Sequence, residues 1–357
     1  MENLVKLPLA SFWRGKRVLL TGHSGFKGSW LTLWLRQLGA QIVGISLVPN
    51  TRPNLFTLAG IEQACESHFC DIRDSRQLAE LVRVSRPEII FHLAAQPLVR
   101  ASYRAPLETF GTNIMGTAHL LDALRGLDCV KVAVMITTDK VYHNTGQHRP
   151  FSEEDRLGGH DPYSASKAAS EVVIDSYRDA FLAAQGVAVV AARAGNVIGG
   201  GDWSEDRLIP DAIRAWQAKR VLEIRHPQAV RPWQHVLDPL AAYLTLAETL
   251  WESPMLSGAY NFGPDQESAR SVADVVELAR ASFGSGEVEY SPSGEGLHEA
   301  ALLSLDNEKA RAVLGVTPHW QLPIAVEKTI QWYRAQRGGS TARELCLADI
   351  AAFGLQA

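Results

Sequence analysis

Over the first two hundred residues, short apolar runs alternate with longer stretches whose apolar positions recur at helical spacing. The runs at 18–20, 41–45, 89–93, 130–136 and 187–192 are continuous rather than alternating, the pattern of strands covered on both faces. Between them Trp30, Leu31, Leu33, Trp34, Leu35 and Leu38 follow the helical period, with Gly39 as a natural stop. Leu78, Leu81 and Val82 mark a second helix that must end before Pro87. Residues 113–125 and 164–184 read as two longer helices. Strand and helix alternation over 15–195 predicts an α/β fold, a Rossmann-type doubly wound parallel sheet with its ligand crevice at the carboxyl ends of the strands. Beyond Gly195 the pattern breaks. Glycine, proline and tryptophan are dense at 199–203 and 227–233, with helices predicted at 211–219, 239–250 and 271–282. This predicts a smaller, mixed C-terminal lobe closing over the crevice. The expected division is a dinucleotide-binding domain over 1–195, with 239–262 packing back on it, and a substrate lobe built from 196–238 and 263–357.

Composition narrows the class of ligand. A net charge of −4 gives nucleic acid no electrostatic footprint, and no run of about 18 apolar residues could span a bilayer. The first 16 residues lack the apolar centre of a signal peptide. Cys65, Cys70, Cys129 and Cys346 show neither CxxC spacing nor disulfide density, so reduced thiols and a cytoplasmic location are expected, with no metal site.

The first chemical motif is Thr21-Gly22-His23-Ser24-Gly25-Phe26-Lys27-Gly28, at the junction of the first strand and first long helix. Glycines at such a turn let backbone amides approach a pyrophosphate, and the helix N-terminus favours the anion. Gly22, Ser24, Gly25, Phe26 and Lys27 are therefore cofactor candidates. Asp71 could accept from an adenine amine while the Ile72 backbone meets the ring edge; the competing role for Asp71 is a helix N-cap. The second strand ends without the carboxylate that usually binds adenosine ribose hydroxyls. Ser46 or Asn50 could substitute and Arg52 could meet a ribose phosphate, which leaves NAD and NADP both open.

The second motif places Tyr163 and Lys167 at i and i+4, on one face of a helix. An ammonium beside a phenol should lower its pKa from about 10, making a general base for an alcohol whose hydride leaves to a nicotinamide. Thr137 or Thr138, at the preceding strand end, can hydrogen-bond the same hydroxyl. Asp139 and Lys140 follow at that edge. Simple oxidation has no use for them, whereas elimination next to a carbonyl needs both an acid and a base. The plainer role is a surface ion pair. An epimerase would need Tyr163 and Lys167 only, and a cofactor-binding regulator would need neither pair.

Taken together these residues resemble the extended short-chain dehydrogenase/reductase superfamily, and within it the CDP-glucose 4,6-dehydratases. The likeness runs through 21–30, 91–100, 112–117 and 161–164, then Arg193-Ala194-Gly195-Asn196-Val197-Ile198-Gly199-Gly200-Gly201-Asp202-Trp203, 207–210, Arg231-Pro232-Trp233-Gln234-His235-Val236 and His298-Glu299-Ala300. Glycine turn and Tyr163/Lys167 are general to the superfamily; Asp139-Lys140 and the Gly-Gly-Gly-Asp-Trp run are narrower. The resemblance implies NAD, held also by Leu93, Ala94, Ala95 and Gln96. It implies a nucleotide-sugar substrate held by Asn196, Arg207, Arg231 and His298, with Trp203 and Trp233 lining the pocket or packing the lobe. It further implies deoxysugar synthesis of the O-antigen type and a homodimer through a four-helix contact of 113–125 and 164–184. Tyr163, Lys167 and Thr138 would serve oxidation at C4, while Asp139 and Lys140 share the proton transfers of water loss. Val48 departs from the family's usual acidic residue, and Val141 and His143 from its frequent cysteine and aspartate.

Overall fold

The computed structural model describes residues 7–146, 149–265, 269–291 and 303–355. Six strands appear in chain order, β1 (Arg17–Thr21), β2 (Gln41–Ser46), β3 (Glu66–Phe69), β4 (Ile89–His92), β5 (Val132–Ile136) and β6 (Ala188–Ala194). Short strands β7 (Val197–Ile198), β8 (Leu222–Ile224), β9 (Val230–Arg231) and β10 (Gln234–His235) follow, then β11 (Gly258–Phe262), β12 (Arg270–Ser271) and β13 (Val288–Tyr290). The main sheet has seven parallel strands in the order β11-β6-β5-β4-β1-β2-β3. The order reverses between β1 and β4, which opens the crevice of a doubly wound sheet at their carboxyl ends.

Period-two alternation divides each central strand between two apolar layers. Val18, Leu20, Phe91, Val132 and Val134 face one core, while Leu19, Ile90, Ala133 and Met135 face the other. Both faces are covered, so the runs read as continuous. On the first face the helix Phe26–Gln37 is buried from Gly28 to Leu35. Trp34 meets Phe353 there at 5.8 Å between rings, and the Trp30 indole donates to the Gly200 carbonyl at 3.0 Å.

Three features differ from the sequence expectation. The edge strand β3 was not expected, because Glu-Ser-His-Phe at a half-covered edge carries no apolar run. The helices Leu322–Arg337 and Ala342–Leu355 were also unforeseen, and both bury side chains against the first core. Helix 113–125 instead belongs to a longer rod: Pro106–Phe110, a π turn over Gly111–Met115, then Gly116–Ala123. Gly116 explains its close seat, since a Cβ there would lie 2.4 Å from the Ile72 side chain. Among the described residues, no helix is long and apolar enough to cross a membrane.

Candidate active site

A cavity of about 1210 Å³ lies at the carboxyl edge of the sheet, between the strand ends and the C-terminal lobe. Its floor is the turn after β1. Gly22 sits at φ +80°, and a Cβ there would lie 2.7 Å from the Ala94 amide nitrogen. At Gly28 a Cβ would fall 2.1 Å from the Gly22 carbonyl oxygen. Helix Phe26–Gln37 therefore starts hard against the turn, and no side chain caps it at Gly25. Its first amides are left to the cavity, the arrangement that receives a phosphate. At the end of β2 the Ser24 hydroxyl bonds Ser46 Oγ at 2.6 Å and the Leu47 carbonyl at 2.8 Å.

Gly22, Ser24, Gly25, Phe26, Lys27, Asp71, Ile72, Leu93, Ala94 and Ala95 all line this cavity, as do Ser46, Val48 and Asn50, whereas Arg52 does not. Gln96 stands between the wall residues Ala95 and Pro97. Its side chain staples the following loop, accepting from the Leu98 amide at 2.7 Å and donating to Thr109 Oγ1 at 3.0 Å. Asp71 is not the helix cap; Asp74 accepts from the Gln77 amide at 3.0 Å and fills that role. The Asp71 carboxylate is instead held by Arg73 at 2.6 Å, which lowers its pKa.

Tyr163 is placed by a helix start that the sequence specifies closely. Asp161 accepts from the Ser164 amide at 3.0 Å, and Pro162 occupies the first turn of Pro162–Tyr177. The Tyr163 hydroxyl faces the cavity near Thr138. Thr138 Oγ1 donates to Asp139 Oδ1 at 3.0 Å, and that oxygen also receives Lys140 Nζ at 3.0 Å. Because a carboxylate can only accept, the threonine proton points to Asp139, and its oxygen receives the Lys140 amide at 3.4 Å. Lys140 reaches Asn196 Oδ1 at 3.4 Å. The Asp139 side chain is fully buried, and its Oδ2 has no partner among the described residues. An exposed ion pair, the plainer role for these two residues, is not what forms.

The expected depression of the Tyr163 pKa is not found. Burial pushes it up to about 12, outweighing the opposing pull of Thr138. Lys167 is turned to donate to the Ile136 carbonyl at 3.1 Å, and burial lowers it to about 8. Lys27 turns from the cavity wall to donate to the buried Tyr243 Oη at 2.9 Å, and burial brings it down to about 7. Tyr243, 216 positions further on, was not anticipated; nothing local in the sequence signals that contact.

Asn196, Arg207 and Arg231 face the cavity from the lobe, with Trp203 and Trp233 beside them. Both indole nitrogens are buried and have no partner among the described residues. Arg207 leans on Asp202 at 3.4 Å, and Arg231 donates to the Val230 carbonyl at 2.9 Å. His298 lies outside the described residues. Glu171 was missed, although it stands one more turn along the Tyr163/Lys167 face. Among the described residues, no group of three His, Cys, Asp or Glu could hold a metal.

A parallel doubly wound sheet, a glycine-walled turn and a Tyr163/Lys167 helix define an extended short-chain dehydrogenase/reductase. Residues 19–329 match the family described as GDP-mannose 4,6 dehydratase, and the chain belongs to it. A CDP-glucose 4,6-dehydratase from Salmonella typhimurium is 43% identical over 91% of this chain and 92% of its own. The fold is shared with a UDP-glucose 4-epimerase from Thermotoga maritima, at TM-score 0.78 and 22% identity over 90% of this chain and 99% of the other. MoeE5, solved with UDP-glucose and NAD, is 26% identical, with a TM-score of 0.76 over 90% of this chain and all of the other.

Two outcomes test the turn. Gly28→Ala should abolish dinucleotide binding measured by calorimetry, since its methyl meets backbone; native affinity would contradict the close packing. The second concerns His92, buried between Thr21 Oγ1 at 2.7 Å and Thr117 Oγ1 at 3.1 Å, with its pKa lowered by burial to about 3. The unfolded chain takes up that proton first, so stability present above pH 6.5 is lost as pH falls towards 3. The rate is about 1.4 kcal/mol per pH unit. His92→Asn should therefore lose less thermal stability than the native protein between pH 7 and pH 5. An equal loss would contradict a neutral buried imidazole.

Proposed function

We propose that this chain removes water from CDP-glucose to give CDP-4-keto-6-deoxyglucose, by oxidation at C4, elimination across C5 and C6, and reduction at C6. The observation that carries this reading is the hydrogen-bonded line Thr138–Asp139–Lys140 in the same cavity as Tyr163 and Lys167. The close relative that acts on CDP-glucose supports the nucleotide. The cofactor is NAD, and the wall fits it: Gly22 and Gly28 pack backbone on backbone, which brings the uncapped start of helix Phe26–Gln37 to the cavity. The amides of Phe26 and Lys27 at the helix start would hold the pyrophosphate, Ser24 and Ser46 the adenosine ribose, and Asp71 and Ile72 the adenine edge. Leu93, Ala94 and Ala95 would flank the dinucleotide, with Tyr163 and Lys167 at its nicotinamide end. When bound, NAD takes the hydride from C4 of the sugar and gives it back at C6.

The chain's own residues move the protons. Tyr163 as phenolate takes the proton of the 4-hydroxyl, with Thr138 orienting it. The Asp139–Lys140 pair, joined at 3.0 Å, can place its shared proton on the carboxyl, which leaves a neutral amine beside an acid. Lys140 then takes the C5 proton, now acidified by the 4-keto group, and Asp139 protonates the departing 6-hydroxyl as water. Lys140 returns its proton to C5 as C6 is reduced. One proton then remains on Tyr163 and one is missing from Asp139. Passage of that proton from Tyr163 to Asp139, past Thr138, restores both groups.

Arg207 and Arg231 hold the diphosphate, Asn196 the sugar side of Lys140, and the Trp203 and Trp233 indoles the remaining polar edge. The unpaired Cys65, Cys70, Cys129 and Cys346 suit a reducing cytoplasm. A homodimer through the rod 106–123 and helix Pro162–Tyr177 is supported by Leu107, Met115 and Val172, which are 84%, 50% and 61% exposed on those elements.

Incubation with CDP-glucose and NAD should lower the sugar nucleotide's mass by one water and give the alkaline absorbance of a 4-keto-6-deoxy sugar. Lys140→Met should reduce kcat by at least about 100-fold. Unchanged mass with a new stereoisomer, or full dehydration by Lys140→Met, would contradict the reading. Val172→Glu should halve the mass seen by light scattering; an unaltered dimer would move the contact elsewhere.

A further inference from the structure

The residues assigned to water loss sit on a short segment whose two ends are tied to one buried ion pair. Thr137, just before Thr138, donates to Glu171 Oε1 at 2.6 Å. Arg193 Nε reaches both oxygens of the same carboxylate at 2.8 and 2.9 Å, and its Nη2 closes on Oε2. On its other side Arg193 Nη1 donates at 2.8 Å to the hydroxyl of Tyr142, two residues after Lys140. Tyr142 passes its own proton to Asn261 Oδ1 at 2.7 Å. Asn261 lies on β11, and its amide and side chain bond Glu153 Oε1 at 2.8 Å and the Phe151 carbonyl at 2.9 Å. Glu171, Arg193, Tyr142 and Asn261 are each no more than 3% exposed.

Glu171 follows Tyr163 and Lys167 at the same four-residue interval, so the face that carries the oxidising pair also carries the anchor. We infer that Glu171, Arg193 and Tyr142 form a clamp that sets the distance between the two halves of the reaction: Tyr163 and Lys167 on the helix, Asp139 and Lys140 on the segment. They are positioning residues, acting through Thr137 and the peptide following Lys140. A buried pair of this kind is weak evidence for stability, since packed apolar residues could replace it. Its geometry at both ends of the segment is what an apolar replacement would lose.

The inference rests on the dehydration reading, and native enzyme with CDP-glucose separates the two failures. Glu171→Gln risks misfolding, so the decisive variant is Tyr142→Phe. It removes only the hydroxyl and keeps the ring stacked on Phe151 at 4.8 Å. Thr329→Val, which loses an equally buried hydroxyl bonded to the Ala325 carbonyl at 2.7 Å on a distant helix, is the control. Tyr142→Phe should lower kcat by about 10- to 100-fold with KM within about threefold, the scale of a small displacement of catalytic groups. Oxidation should outrun water loss, so reduced cofactor absorbing at 340 nm should build up on mixing. The control should show native kcat and no such build-up. Tyr142→Phe with native kcat, or with no accumulation, overturns the clamp, as does a control that falls equally.

Discussion

A carboxylate held out of water must be paired on all sides, and Glu171 meets that demand with a guanidinium from β6 and a hydroxyl from the end of β5. That constraint fixes helix Pro162–Tyr177 against two neighbouring strands at one height. Tyr163 and Lys167 then arrive at the carboxyl edge beside Thr138, Asp139 and Lys140. The parallel register of β5 with β6, Val132 opposite Ala188 through Ile136 opposite Ala192, carries the same alignment across the sheet.

The cavity divides by chemistry. On the strand side, glycines packed backbone on backbone bring an uncapped helix start to the wall. On the lobe side, Arg207, Arg231, Trp203 and Trp233 line it, with both indole N–H groups buried. Between them burial raises Tyr163 and lowers Lys167 and Lys27. The Tyr163 phenol is thus kept protonated until a partner favours its anion, and the two lysines stand closer to neutrality than lysines in water.

The sheet was legible because its strands are covered on both faces, which writes uninterrupted apolar runs into the chain. β3 escaped because an edge strand with a polar face leaves no such run. The glycine turn and the Tyr163/Lys167 spacing were legible because each is local, within eight residues. The pKa of Tyr163 was misjudged because spacing reveals a nearby charge and not the depth of burial. Glu171 was within reach of the same helical arithmetic; its partner Arg193 and the Lys27–Tyr243 contact were not, since they join segments far apart in sequence.

Both halves of the chemistry are placed in a single cavity, so the hydrogen removed at C4 should never leave it. CDP-glucose labelled with deuterium at C4 is the direct test. Product carrying the label at C6, with no loss to solvent or to added unlabelled cofactor, is the expected result. Label retained at C4, or released from the sugar, would contradict internal redox and with it the joint work of Tyr163 and the Asp139–Lys140 pair.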